Sequence, residues 1–391
     1  MRQFTEEQTL FRDAYRQFLE TEIKPHMAEY REAGIVDRSA FKKAGDRGML
    51  MVWPDEKYGG LGDDDFRWCQ IMIEESCRAE TGEFYATLHA RLVGRYFKTI
   101  GNEEQRDRFL PGCVSGDTIL AVAMTEPGAG SDLSGMKSTV RDMGDHLVLN
   151  GSKTYISNGI NADVIIVAAK YIPEGKTEPE NKHSMTLVIV ERGMEGFERG
   201  QNLKKMGQPA QDTAELFFDD VVIPKKNIMG TPGRGFMHLM EGLAEERLIA
   251  AVGYAASARH AFDITRDFVM ERKVFGGKLS DMQNTQFKMA ELDAEIDMLQ
   301  VYVDHLVHLN NQGLLTANAA AKAKLLGSEI QWKMMDEGVQ LHGGAGYMDE
   351  YPISRMFTGS RINRILAGSS EVMKLIIGRD IFSQNYRSLH N

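Results

Sequence analysis

Met124-Thr125-Glu126-Pro127-Gly128-Ala129-Gly130-Ser131-Asp132 overlaps the end of a β-rich run, 118–125. The stretch is glycine-rich, but it has neither the lysine nor the spacing of a P-loop, and no G-x-G-x-x-G opens a helix at a suitable place. Two readings of it stand side by side. It is either a tight loop leaving a strand or a set of backbone N–H groups and small side chains offered to a planar or phosphorylated ligand. Downstream, β-rich runs occupy 146–156, 163–171, 184–190 and 214–222, separated by turn residues such as Asn150-Gly151 and Asn158-Gly159. Short strands with no helical period between them predict an antiparallel sandwich or barrel rather than βαβ units. The polar stretch 173–182 reads as a mobile hairpin loop.

Helical patterns flank this β-rich centre. Thr5 and Gln8 form a capping box, Glu6 and Glu7 suit a first turn, and Leu10, Phe11, Tyr15, Phe18 and Leu19 are spaced as one helix face. Similar spacing recurs over 65–80 and 85–100, with a glycine-punctuated loop at 54–65. On the other side, helical periods cover 233–272, 281–311 and 317–341. The cluster Gly343-Gly344-Ala345-Gly346 stops the third, and a last helix starts near Ser369. The expected fold is α+β and multidomain. A helical domain spans 1–117, an antiparallel β-barrel or sandwich domain 118–228, and a C-terminal four-helix-bundle domain 229–391.

The chain has 391 residues, 42% hydrophobic and 26% charged, enough for two or three packed units with ordinary cores. A formal net charge of −10 and the absence of a basic stripe argue against general nucleic-acid or anionic-membrane binding. Cys69, Cys77 and Cys113 have no metal-like spacing and fit free thiols in a reducing compartment. The acidic start, Met1 to Glu7, carries no apolar signal core, and Ser388-Leu389-His390-Asn391 is not a peroxisomal address. No apolar run approaches the roughly 20 residues of a membrane span, so a soluble cytoplasmic protein is expected.

Taken together, these motifs resemble the acyl-CoA dehydrogenase family along essentially the whole chain. The opening stretch looks like its flavin-binding signature. Tyr58-Gly59-Gly60, Asn150-Gly151-Ser152-Lys153, Glu271-Arg272-Lys273-Val274-Phe275-Gly276 and Gln340-Leu341-His342-Gly343-Gly344-Ala345-Gly346-Tyr347 match in the same order. The resemblance implies FAD as cofactor. Met124 and Thr125 would line its pyrimidine side, Ser157 would direct a hydroxyl toward N5, and Tyr155 would stand where relatives often stack a tryptophan. Gly130 and Ser131 would approach the pyrophosphate, and Ser369 and Glu371 would lie near the FAD. A neighbouring subunit would add Arg272, Phe275, Gln283, Gln340, Gly343 and Gly344, an arginine fork suiting phosphate oxygens. That implies a homo-oligomer, in this family usually a tetramer built as a dimer of dimers. The resemblance further implies an acyl-CoA substrate and an electron-transferring flavoprotein as partner. Ser131, Arg247, Leu366 and Ala367 would lie along the substrate.

Such a reaction needs a carboxylate to take the α-proton of a thioester. Many relatives place a glutamate just before Gly-Thr near the C-terminus, but the matching stretch here is Ile365-Leu366-Ala367-Gly368-Ser369-Ser370-Glu371, and Ala367 cannot take a proton. A second subgroup, typified by long-chain and isovaleryl-CoA dehydrogenases, carries the base on a helix in a Glu-Arg-Leu context, matched by Glu246-Arg247-Leu248. Helical spacing puts Glu246 with Leu239, Leu243, Ile249, Ala250 and Gly253, an apolar and then small face. Glu245 shares a face with His238 and Glu241, which predicts a solvated setting. Glu246 is therefore the expected base. Glu371 is a rival whose plainer role is to stabilise a helix N-terminus.

Other residues suggest blander roles. His305 and His308 read as a surface pair and no metal site is expected. His342 is placed facing the cofactor, and Met282, Met289 and Met298 are placed in helix cores. Thr358-Gly359 replaces a charged pair common in relatives, and Leu366 replaces an aromatic, which would widen an acyl cavity for a long or branched chain. Three functions fit. The first is an acyl-CoA dehydrogenase; the second is a family oxidase or flavin monooxygenase that admits oxygen; the third is a non-catalytic acyl-CoA- and FAD-binding scaffold. An acyl carrier protein shares the pantetheine arm, so the thioester carrier stays open.

Overall fold

The computed structural model describes residues 4–383, so the first three residues of the Met1 to Glu7 reading and the Ser388 to Asn391 reading lie outside the described residues. Thr5 closes its capping box with Gln8, each amide donating to the other's side chain at 3.1 Å, and opens α1 (Glu6–Phe18). Tyr15 and Phe18 face the core, whereas Leu10, expected beside them, is exposed. The helical region continues through α2 (Met27–Ala33), α3 (Arg38–Asp46), α4 (Phe66–Arg78), a π-helical turn (Leu88–Val93) running into α5 (Gly94–Thr99), and α6 (Glu103–Ser115). Phe66, Cys69 and Ile73 of α4 pack into the later helical region. Each fully buried large apolar side chain contributes about 1.5–3 kcal/mol.

Eight strands follow in one sheet: β1 (Leu120–Ala123), β2 (Thr139–Asp142), β3 (His146–Ser157), β4 (Val164–Ile172), β5 (Met185–Glu191), β6 (Phe197–Asn202), β7 (Thr213–Pro224) and β8 (Ile228–Met229). The order is β6-β7-β3-β2-β4-β5-β8, with β1 also on β4. Most neighbours are antiparallel, as expected, but β1 and β2 both run parallel to β4. They share its edge in succession, β1 along Val164 to Val167 and β2 along Lys170 to Ile172. The chain between them, 124–138, is thereby forced out of the sheet. Almost every residue of β4 is buried because both faces are covered. Val164, Ile166 and Ala168 meet the helical region, while Ile165, Val167 and Ala169 meet the inner faces of the other strands. The stretch 173–182 joins the antiparallel pair β4–β5.

A 37-residue helix, α7 (Gly235–Glu271), then runs roughly 55 Å. A two-strand hairpin, β9 (Lys273–Val274) and β10 (Gly277–Lys278), leads to α8 (Gln283–Asn311), α9 (Ala317–His342), α10 (Pro352–Ser360) and α11 (Ser370–Ile381). Helices α7, α8, α9 and α11 form the bundle, with α4 laid against α7. Of the three methionines placed in its core, Met289 is buried and Met282 half-buried, but Met298 is 66% exposed on the outer face of α8. The period of a long helix marks its faces without saying which of them a neighbour covers. Among the described residues no helix is long and apolar enough to cross a membrane.

Candidate active site

Glu246 lies about three turns from the start of α7 and is 7% exposed. Its Oε1 accepts a hydrogen bond from the Tyr96 hydroxyl at 3.2 Å. Burial pushes its carboxyl up to about 6, although Tyr96, Arg95 and Arg247 pull the other way. Gly242, one turn earlier, makes this arrangement possible. A Cβ there would stand 2.6 Å from Arg95 Nη1 and 3.2 Å from the Glu246 carboxylate. Tyr96 and Leu239 belong to the same apolar cluster as Met124, which joins the carboxylate's surroundings to the end of β1. Arg95, Tyr96 and Gly242 were not picked out from the sequence, since only contacts across about 150 residues reveal them.

Glu245 is not solvated as expected. It accepts from Arg91 Nε at 2.7 Å, and Arg91 also holds Asp64 at 2.6 Å. Its polar face is covered by a cation from another helix and its carboxylate is engaged there. Arg247 is buried, with its Nε lacking a hydrogen-bond partner among the described residues.

The glycine-rich stretch leaves β1 at Met124 and Thr125 and is braced from beneath. Lys153, fully buried on β3, donates to the Met124 carbonyl at 3.1 Å and to Glu126 Oε1 at 2.8 Å. Glu126 also accepts from the amides of Lys137 at 2.6 Å and Ser138 at 3.0 Å. Burial raises the Glu126 carboxyl, but Lys153 and these donors outweigh it and hold it below its ordinary value. Both charges stand in motifs read in the sequence, Glu126 in the glycine-rich stretch and Lys153 in Asn150-Gly151-Ser152-Lys153, but nothing local marks them as partners. Beyond this brace the loop is open. A Cβ at Gly128 or Gly130 would meet nothing within 4 Å, and the amides of Gly128, Gly130 and Ser131 have no partner among the described residues. Asp132 is occupied by Ser134 and does not compete for them. Free amides without an opposing carboxylate suit a pyrophosphate.

On β3 the expected continuous strand is broken by a bulge. The register on β7 slips between Lys153 and Ile156, and Tyr155 takes φ +61°. The bulge turns Tyr155 outward, 69% exposed, with the half-buried Ser157 two residues on. An exposed aromatic beside open amides fits a flat ring system.

Arg272, Phe275, Gln283, Gln340, Gly343 and Gly344 are all exposed. They gather because α7 and α9 end, and α8 begins, at one end of the bundle. Phe275 tips the β9–β10 turn at φ +47° and is 99% exposed. His342 does not face this surface. It stacks on Phe268 with centroids 4.2 Å apart and contacts the Gly338 carbonyl, so it is a packed core histidine.

Ala367 takes φ +53° in the loop before α11, and Ser369 caps that helix by accepting from the Val372 amide. Glu371 is exposed in its first turn, held below its ordinary pKa by its own backbone amide and the Ser369 hydroxyl. The loop is pinned at Asn363, whose carbonyl accepts from buried Lys324 at 2.8 Å and whose amide donates to Gln331. Gln208 donates to the carbonyl of Gly359, which takes over the bracing at Thr358-Gly359. His305 and His308 are exposed, and no group of metal-ligating side chains occurs among the described residues. A cavity of about 740 Å³ runs from Leu88, Leu92, Ile249 and Ala250 past Gly253 and Leu366. Glu246 is not in its lining but sits one helical turn before Ile249.

Three family models cover the chain in order: "Acyl-CoA dehydrogenase, N-terminal domain" over 5–117, "middle domain" over 121–221 and "C-terminal domain" over 233–382. The long-chain specific acyl-CoA dehydrogenase of Sus scrofa mitochondria is 40% identical over 97% of this chain and 87% of its own. The mitochondrial isovaleryl-CoA dehydrogenase of Pongo abelii is 34% identical over 96% and 88%. Among solved structures, the acyl-CoA dehydrogenase of Geobacillus kaustophilus aligns with a TM-score of 0.94 and 40% identity, over 98% of this chain and 100% of that one. A chain from a structure of the electron transferring flavoprotein of Acidaminococcus fermentans gives 0.91 and 32%, over 98% and 99%. An acyl-CoA dehydrogenase of Bacillus anthracis complexed with FAD gives 0.88 and 30%, over 97% and 67%.

Proposed function

The chain belongs to the acyl-CoA dehydrogenase family, and from that premise we propose that it oxidises a long- or branched-chain acyl-CoA to the trans-2-enoyl-CoA with Glu246 as base. It is an oxidoreductase. The cofactor is FAD, which when bound accepts the β-hydrogen as hydride at N5. The open amides at Gly128, Gly130 and Ser131, the outward Tyr155 and the nearby Ser157 suit that group, with Met124 and Thr125 along its pyrimidine side.

The buried Glu246 carboxylate carries the reading. At neutral pH a carboxyl near 6 is mostly ionised yet more basic than an ordinary glutamate, so it draws the α-proton toward Oε while Tyr96 steadies its charge. The apolar cluster around Tyr96 and Leu239 excludes water from that transfer. Ala367 leaves the usual base position empty of a carboxylate. Leu366 borders the cavity, in keeping with a roomy acyl site.

Electrons pass to an electron-transferring flavoprotein, and the working molecule is a homotetramer. Arg272 lies 26 residues along from Glu246, roughly 39 Å on a helix, which suits completion of a partner's FAD site rather than its own. The three cysteines, all free thiols, suit a reducing setting such as the cytoplasm. Anaerobic mixing with acyl-CoAs of graded length and branching tests the reading. Flavin bleaching by long or branched members is expected, and no bleaching by any member would remove it.

A further inference from the structure

The cavity beside Glu246 changes character along its length. Its first part is a shaft of Leu88, Leu92, Ile249, Ala250 and Gly253. Its far part is lined by charge. Arg31, Lys205 and Arg355 supply three cations, and Glu32, Glu80, Glu83, Asp349 and Glu350 supply five carboxylates. Glu32, Lys205, Asp349 and Glu350 are exposed, so the shaft ends at the protein surface rather than in a floor. The inner ions are already matched, Arg31 to Glu83 at 2.6 Å and Arg355 to Glu80 at 3.3 Å. The surplus carboxylates lie on the outer rim.

Length sets what reaches that rim. Lining residues on α7 extend to Ser257, eleven residues beyond Glu246, or about 16 Å of helix. An extended chain covers about 1.2 Å per bond, from the ~3.3–3.6 Å of a three-bond peptide unit. An acyl group of roughly 14 carbons therefore fills the shaft, and a longer one brings its end among the charges. An apolar end desolvates those groups with nothing in return, whereas a hydroxyl can bond to them. A terminal carboxylate meets a net negative rim.

Resting on the acyl-CoA dehydrogenase reading, we propose that the open, acid-rimmed shaft makes this protein a dehydrogenase of long acyl thioesters bearing a polar, non-anionic group at the far end. The test compares flavin reduction by octanoyl-, tetradecanoyl-, hexadecanoyl-, 16-hydroxyhexadecanoyl- and hexadecanedioyl-CoA. The expected kcat/KM rises to tetradecanoyl and does not collapse beyond it. The 16-hydroxy compound exceeds hexadecanoyl-CoA by at least threefold, and the dioyl compound falls at least tenfold below the hydroxy one. A Cβ at Gly253 would meet only Ile73, at an ordinary 3.5 Å, so Gly253→Leu is a reasonable plug. It should lower the hexadecanoyl-to-octanoyl ratio at least tenfold. Asp349→Lys with Glu350→Lys, both on the exposed rim, should narrow the gap between the hydroxy and dioyl compounds. No gain on adding the hydroxyl, a dioyl compound as good as the hydroxy one, or a ratio unmoved by Gly253→Leu would each overturn the proposal. If octanoyl-CoA bleaches the flavin while these results fail, only the shaft proposal falls. If no acyl-CoA bleaches it, the dehydrogenase reading falls with it.

Discussion

At the scale of single residues, Glu246 is set apart from Glu245 by its neighbours rather than by its charge. Arg91 fixes Glu245 as an ion-pair partner, while Glu246 has a phenol and an apolar wall. The rise of kcat/KM with pH should therefore have its midpoint near 6. Tyr96→Phe removes a donor to the charged form and should move that midpoint upward, measurable in a pH profile of flavin reduction. Stability carries the same signature. Because the folded pKa is raised, the contribution is fully present below the ordinary 4.5 and is lost as pH rises through about 6. Ionised Glu246 thus costs about 2 kcal/mol at pH 8. Glu246→Gln should raise the urea midpoint at pH 8 and leave it little changed at pH 4. Helical spacing alone separates the two glutamates onto different faces. It says nothing of Arg91 or Tyr96, which arrive from another helix.

At the scale of elements, the flavin-side wall depends on how β1, β2 and β3 meet. Breaking a buried ion pair by removing one partner costs about 3–5 kcal/mol, and Lys153 on Glu126 is such a pair. Lys153→Met should fall toward the lower end of that range, because the Lys137 and Ser138 amides still hold Glu126. It should also purify with less FAD. Glu126→Gln together with Lys153→Met should recover most of the stability, since no unpaired charge remains; urea melts and bound flavin per chain report both. The long helices and most strands were legible because each carries its own period. The parallel pairing of β1 and β2 on one edge of β4 was not, because pairing between distant segments leaves no local pattern. Nor was the bulge at Tyr155, where a tyrosine takes a backbone conformation its own residue type does not announce.

At the scale of the whole molecule, α7 links two kinds of site, with Glu246 early on it and Arg272 just past its end. If Arg272, Gln340 and the glycines at 343 and 344 complete a partner's FAD site, cofactor retention depends on assembly. FAD occupancy should then fall on dilution in step with dissociation of a tetramer, read by light scattering and flavin fluorescence. Arg272→Ala, on an exposed residue, should release FAD at higher protein concentrations than the parent while leaving the melting of the protomer nearly unchanged. The three-part order along the chain is visible in the sequence as helical, β-rich and helical again. The cavity is not, because its walls come from segments as far apart as Ala28 and Leu366.

The central claim is that Glu246 takes the α-proton. Glu246→Gln, confirmed to hold FAD, should be mixed anaerobically with hexadecanoyl-CoA and its flavin absorbance followed in single turnover. Reduction should slow by about 10²–10⁴-fold relative to the parent. Bleaching at the parent's rate would contradict the assignment and return the search to the other carboxylates, Glu371 first.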